Sequence, residues 1–178
     1  MTSSPETTGL RGDWRDVLRA PDGHVLFDSG IRKNAVVNDC RRLLATFMRG
    51  APTASGISGL AIGRGNPAWD SAGTPAATTD RTALVDANPF VLPLADLTLD
   101  FLDGDVASPT PTNLVRIAAV FGAGQPPWPD ANHTDAGLRE FGLVGDLDGS
   151  SVLIDYVTHP VIHKDPVAPL ERTIWLRF

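Results

Sequence analysis

The chain has 178 residues, 42% of them hydrophobic and 20% charged, which is the size and composition of one ordinary globular domain. Its formal net charge of −6, with no run of Lys or Arg longer than two, argues against nucleic acid as a partner. A single cysteine excludes an internal disulfide, and the polar start of the chain predicts synthesis in the cytoplasm with no membrane insertion. The 17 glycines and 15 prolines favour β structure with long loops over a helix bundle.

The N-terminal part of the chain is predicted to be a leader followed by a hairpin. Residues 1–9 have the polar composition of a flexible leader, and residues 10–178 are expected to form a single domain. Two β-prone runs then flank Pro21-Asp22-Gly23, where Pro presets φ and Gly admits a positive φ. This pattern predicts two antiparallel strands joined by a tight turn.

One amphipathic helix is predicted at about residues 35–49. Its apolar residues recur at the i, i+3, i+4, i+7 spacing of a helix, and Asn34 and Gly50 are suited to cap its two ends. Cys40 falls on the apolar stripe, which favours a buried core cysteine over a reactive thiol.

The rest of the chain is predicted to consist of strands separated by turns and by two long loops rich in Gly and Pro. The loops cover residues 66–94 and 122–137. Short apolar or alternating runs predict strands at 57–65, 95–105, 113–124, 138–144, 152–157 and 170–178. Several strands with one helix favour a mainly β fold, an antiparallel β-sandwich with the helix packed at one side.

The stretch "VTHPVIHKDP" sets His159 and His163 four residues apart, which is a spacing that suggests a metal site. Pro160 and its β-branched neighbours favour an extended backbone, in which four residues span about 13 Å. Two ligands of one zinc ion lie much closer, at about 2.1 Å each from the metal. The segment is therefore predicted to be a corner between two strands. A metal-dependent enzyme built on His159, His163 and Asp155 remains an alternative.

Other catalytic patterns are weak. The sequence contains no GxSxG, and the group of Asp100, Asp103 and Asp105 lacks EF-hand spacing and is typical of a solvated turn. We therefore expect no enzyme activity, no cofactor and no metal.

The aromatic residues suggest contact surfaces. Trp69 and Trp128 lie in the two long loops, where a large ring either folds back or meets a partner. The residues that we predict at an interface are Trp69, Asp70, Trp128, His159 and Trp175. A β-sandwich carbohydrate-binding module is the alternative, with a loop tryptophan as stacking platform and Asp70 or Asp130 bonding hydroxyl groups.

Five segments resemble small structural proteins of phage tails and related contractile injection particles, including tail-fibre, collar and baseplate-associated types. The resemblance covers residues 34–65 and 138–178, somewhat under half of the chain. Its motifs are an Asn-initiated helix that ends in Gly, an apolar strand closing in GxG, "LREFGLVG", "HPVIHK" and "LERTIWLRF". Val144 stands where the group has Phe, and residues 66–137 do not align with it.

The resemblance implies a non-enzymatic subunit that is assembled in several copies into a virion tail or phage-like particle. Its implied partners are other tail or baseplate proteins and further copies of itself. The matching motifs are packing signatures, so they imply a fold and a setting rather than a chemical role.

Overall fold

The computed structural model describes residues 9–50 and 54–178, so the predicted leader lies outside the described residues except for Gly9. The described chain forms strands β1 (Arg11–Arg19), β2 (Val25–Asp28), β3 (Arg32–Val36), β4 (Ala54–Gly63), β5 (Phe90–Pro93), β6 (Leu97–Asp103), β7 (Val106–Ser108), β8 (Leu114–Phe121), β9 (Gly137–Leu147), β10 (Ser150–Leu153), β11 (Asp155–His163) and β12 (Leu170–Arg177). The helices are α1 (Asn38–Met48) and α2 (Trp69–Ala72), with a 3-10 turn at Leu94–Asp96. None of these helices is long and apolar enough to cross a membrane.

The predicted mainly β, antiparallel fold is confirmed. The strands follow the order β5-β4-β9-β11-β3-β1-β12-β8-β6-β7, while β10 pairs with β9 and β2 pairs with β1. Every pairing is antiparallel. The predicted hairpin is β1–β2, and a second tight turn joins β9 to β10 at Asp148-Gly149, where both residues have positive φ.

Strands β5, β4, β9 and β11 form one half of this order, and strands β1, β12, β8, β6 and β7 form the other. The two halves face each other and enclose the core. Phe141 of β9 lies edge-on to Trp14 of β1, with ring centroids 5.3 Å apart, and beneath the guanidinium of Arg172 of β12 at 3.6 Å. Phe90 of β5 meets Phe121 of β8 at 6.5 Å. Apolar side chains from both halves form one cluster, which is the arrangement of a sandwich.

The two halves are joined through a short seam at β3. On one side β3 pairs with β11 through two residue pairs, Asp155 with Val36 and Tyr156 with Ala35. On the other side it pairs with β1 through three. Since so few ladder hydrogen bonds cross this seam, side-chain contacts there carry much of the connection between the halves.

The predicted helix is present, but it begins later than predicted. Asn34 and Val36 belong to β3, and Val37 precedes the first helical turn without a side-chain cap. Two sheet neighbours hold this segment extended, and its β-branched valines suit a strand. The end of the helix was predicted correctly, since Gly50 has φ 75° and donates to the carbonyl of Phe47. Cys40 is buried, as predicted.

Two further predictions were wrong in detail. The loop predicted at 66–94 contains the short helix α2 and ends in strand β5, which pairs with β4. The corner predicted after His159 is a continuation of β11, which runs on to His163 with a shift of register between Thr158 and Ile162. Pro160 has no N–H to contribute to a ladder, and the register shift leaves it unpaired without ending the strand.

Gly12 should be required for the contact across the seam. A Cβ on Gly12 would overlap the side-chain amide of Asn34, which reaches past it to Asp155. We expect Gly12→Ala to lower the free energy of unfolding by about 1–3 kcal/mol, because it displaces a buried hydrogen bond. The matched control is Gly56→Ala, where a Cβ meets nothing within 4 Å. Urea unfolding of both variants checks this, and equal losses would contradict it.

Candidate functional site

A fully buried ion pair lies at the centre of the core. Asp16 of β1 and Arg172 of β12 occupy directly opposed positions, and both side chains have no exposed surface. Arg172 donates Nε–H and Nη2–H to the two carboxylate oxygens at 2.7 and 2.6 Å. Asp16 also anchors Ser29, whose hydroxyl accepts the Asp16 backbone N–H at 2.8 Å. This bidentate pair is inaccessible to any ligand and serves packing.

His159 is a core residue next to this pair. Its ring packs against both Trp14 and Phe141, with centroids 5.8 and 6.0 Å away. Nδ1 lies 2.8 Å from the carbonyl oxygen of Pro160, so Nδ1 carries the proton and donates it. Burial, together with the nearby positive charge of Arg172, lowers the pKa of His159 to about 4. The ring is therefore neutral at physiological pH.

Asp155 holds the seam between the two halves. One carboxylate oxygen accepts the backbone N–H of Leu143 at 2.6 Å, and the other accepts from Nδ2 of Asn34 at 2.6 Å. Complete burial raises the pKa of Asp155 to about 6. Its hydrogen bonds thus connect β9, β11 and β3 at one point.

The alternative metal site of His159, His163 and Asp155 is not assembled. His159 faces the core, His163 is exposed, and both oxygens of Asp155 are engaged by protein donors. Among residues 9–50 and 54–178, no three His, Cys, Asp or Glu side chains are grouped so that they could hold a metal ion.

Two buried residues attach the long loops to the sheet. Glu140 of β9 accepts the backbone N–H groups of Val85 and Asp86 at 2.9 and 2.7 Å, and the hydroxyl of Tyr156 at 2.6 Å. His133 lies between Asp86 and Asp130, with its ring nitrogens 3.0 and 2.8 Å from their carboxylates. Because Asp86 belongs to one loop and His133 to the other, the loops also hold each other.

The loop tryptophans fold back against the body. Trp128 is 7% exposed and stacks on His133 with ring centroids 3.9 Å apart. Trp69 is half-buried beside Gly65, and Asp70 next to it accepts two hydrogen bonds from Arg139 at 2.8 and 2.7 Å. The arginine lowers the pKa of Asp70. Trp128, Trp69 and Asp70 therefore anchor loops in this conformation rather than display a stacking platform.

Trp175, another of the predicted interface residues, is also partly exposed at the surface. It lies half-buried on the outer face of β12, opposite Asp13 of β1 and Arg116 of β8. A shallow depression of about 350 Å³ adjoins it, lined also by Ile31, Leu102 and Leu114. We call these four apolar residues, Ile31, Leu102, Leu114 and Trp175, the outer patch.

The outer patch borders an apolar edge of the sheet. Ile31 is 68% exposed, and the preceding strand β2 is exposed along its whole length, including Val25, Leu26 and Phe27. Strand β2 pairs with β1 alone among the described strands. Exposed apolar side chains on an edge strand favour contact with another chain.

An apolar groove of about 360 Å³ opens on the other face of the same sheet. Helix α1 forms one wall with Leu44 and Phe47, and β6 forms the other with Leu99 and Phe101. The floor consists of Leu43, Ile57, Val115, Ile154 and Leu176, with Phe178 also lining the groove. Leu97, Leu99 and Phe101 alternate along β6 onto its inner face, where Leu99 and Phe101 line this open groove and remain more than a third exposed.

Comparison with known proteins gives no match: no family model or curated protein matches the chain, and no solved structure matches it.

Sequence reasoning missed most of the buried polar residues. Arg172 stands at an inward position of β12 between Leu170 and Ile174, so the alternation of that strand contained the signal. Asp16 lies inward on β1 in the same way. Glu140 and His133 gave no such signal, because each bonds Asp86, a loop residue far away in the sequence.

The buried groups His159 and Asp155 should change the free energy of unfolding in opposite directions as the pH falls. Relative to its ordinary pKa of 6.5, His159 binds its proton poorly when folded, so its contribution to stability is lost as the pH falls from about 6.5 to about 4. Asp155 has its pKa raised from 3.8 to about 6, so the cost of burying its charge is relieved over nearly the same range. Each effect is on the order of 3 kcal/mol.

We therefore expect the two effects to oppose each other in the wild type and to be separated by substitution. Between about pH 6 and 4, Asp155→Asn should lose roughly 3 kcal/mol more stability than the wild type, and His159→Gln should lose that much less. Urea unfolding followed by tryptophan fluorescence across this range measures both. Variants that keep the pH dependence of the wild type would contradict the assignment.

Proposed function

We propose that the chain is a non-enzymatic structural subunit of a phage tail or phage-like contractile injection assembly, which joins or decorates the baseplate, collar or fibre by protein–protein contacts. The observation that carries the proposal is a contrast between interior and surface. The buried charged residues Asp16, Arg172, Glu140 and Asp155 are all bonded within the fold, whereas β2, and Ile31 and Trp175 of the outer patch, present apolar surface to the outside.

The buried polar groups support a structural role. A catalytic group needs access to substrate, and perturbed groups at active sites usually line a cleft. His159 and Asp155 have strongly shifted pKa values, but both are buried and bonded to their own chain. Their shifts are accounted for by packing between the sheet halves.

The resemblance to tail proteins supplies the proposed setting. Its motifs fall on α1, β4, β9, β11 and β12, which form the groove walls, the seam and the central strands. The unaligned residues 66–137 include the two loops and β6 to β8. A core that resembles other tail proteins, combined with loops and edge strands that do not, suits a subunit whose contacts differ between particles.

Tryptophan variants should separate contact from stability. Trp175→Ala removes a half-exposed ring from the outer patch, so we expect little change in unfolding free energy but a loss of incorporation into particles of roughly tenfold or more. Trp128→Ala removes a buried, stacked ring and should cost about 3 kcal/mol or more of stability. The control is Val120→Glu, which is exposed on the same outer face of β8 away from the patch.

The measurement is quantitative mass spectrometry of particles purified from producing cells, in which a deletion of the gene is complemented by each variant. The wild type should be present in fixed stoichiometry, and the deletion should leave incomplete tails. Complete particles without the chain, or equal incorporation of Trp175→Ala and wild type, would contradict the proposed function or the proposed surface, respectively.

A further inference from the structure

We infer that the apolar groove between α1 and β6 is a contact between two copies of this chain, related by a twofold axis that passes through the groove. This inference deepens the proposed function, on which it rests for its biological setting, by naming one partner and the surface that meets it. The groove lies on the inner face of β6, opposite to the outer patch, so both contacts can be made at once.

Within residues 9–50 and 54–178, nothing covers the groove as the rest of the core is covered. Leu43, Ile57, Val115, Ile154 and Leu176 form its floor and are continuous with the main core. The lining residue Phe47 is 41% exposed, and Met48, which follows it at the end of α1, is 90% exposed. Methionine is a flexible side chain that fills irregular apolar gaps. This region therefore carries both an open apolar groove and an exposed apolar side chain, Met48, that could fill such a groove.

The charges beside the two walls are of opposite sign. On the helix side, Arg41 and Arg49 are exposed and make no ion pair among the described residues, while Arg42 is neutralised by Asp39 at 2.7 Å. On the strand side, Asp103 at the end of β6 is exposed and equally unpaired within the described chain. Asp100 is already paired with Arg116 at 2.6 Å.

A twofold axis accounts for both the open groove with its exposed Met48 and the opposite charges beside the two walls. It places α1 of one copy over β6 of the other, and the reverse, because an isologous contact uses the same patch twice. Met48 of each copy then enters the groove of its partner. Arg41, which lies seven residues before Met48 and so on the same side of the helix, then faces the acidic β6–β7 turn.

Substitution of Met48 should abolish the dimer. We expect sedimentation equilibrium to show a dimer for the wild type, and Met48→Glu to raise its dissociation constant roughly 100-fold or more, since a charge replaces an apolar side chain at two symmetric places. Val167→Glu is the matched control, because Val167 is 59% exposed and does not line the groove. Thermal unfolding verifies that both variants fold.

Charge reversal tests the twofold geometry independently of folding. Arg41→Asp and Asp103→Arg should each weaken the dimer roughly tenfold, and the two changes in one chain should restore it, since each residue meets the other across the axis. The weakening should be greatest at low salt.

Two results would overturn the inference. One is a wild type that stays monomeric at concentrations approaching about 1 mM, and the other is a dimer that Met48→Glu leaves unchanged. A monomeric wild type that still enters particles would reject the twofold contact and leave the proposed function standing. A dimer that fails to enter any particle would support the contact and reject that function.

Discussion

The ion pair between Asp16 and Arg172 is the constraint to which the rest of the interior is adapted. Both charges are removed from water, which costs several kcal/mol per ion unless the partner and further contacts compensate. Compensation comes from two hydrogen bonds between opposed residues of β1 and β12 and from the ring of Phe141 on the opposite half, over which the guanidinium lies. A side chain from one half thus fixes the position of the other.

At the seam, buried polar groups likewise hold separate strands together through hydrogen bonds. Asp155 connects three strands where only two residue pairs join β3 to β11, and the bond to Asn34 requires Gly12 beneath it. Loops 66–94 and 122–137 are held in the same manner by Glu140 and His133. These polar groups already have partners within the chain, so contacts with another protein must use the surface. The apolar surface lies on β2, at the outer patch and in the groove.

The sequence predicted the architecture better than the site, and the reason is the range of the interactions. The alternation in β12 and the spacing in α1 are local, so the mainly β fold and the buried Cys40 follow from short windows. The start of α1 depends on a sheet neighbour more than 100 residues away, since β3 pairs with β11. The run of β11 through Pro160 depends on β9, which pairs with it on both sides of the register shift. The tryptophans looked available for a different reason: their partners, His133 and Gly65, are near in the sequence, but the irregular course of the loops that brings the rings onto them follows no simple periodicity. Arg172 was foreseeable from its inward position and was overlooked.

The most direct test of this account is a double-mutant cycle on the central pair. The free energy of unfolding should fall by about 3–5 kcal/mol for Arg172→Met or Asp16→Leu alone, because each leaves an unpaired buried charge. With both changes in one chain, most of that loss should be recovered, since two apolar side chains of similar size then meet in the core. Single changes that cost less than about 1 kcal/mol, or a double variant whose loss is the sum of the two, would show that the charges do not depend on each other and would contradict the account.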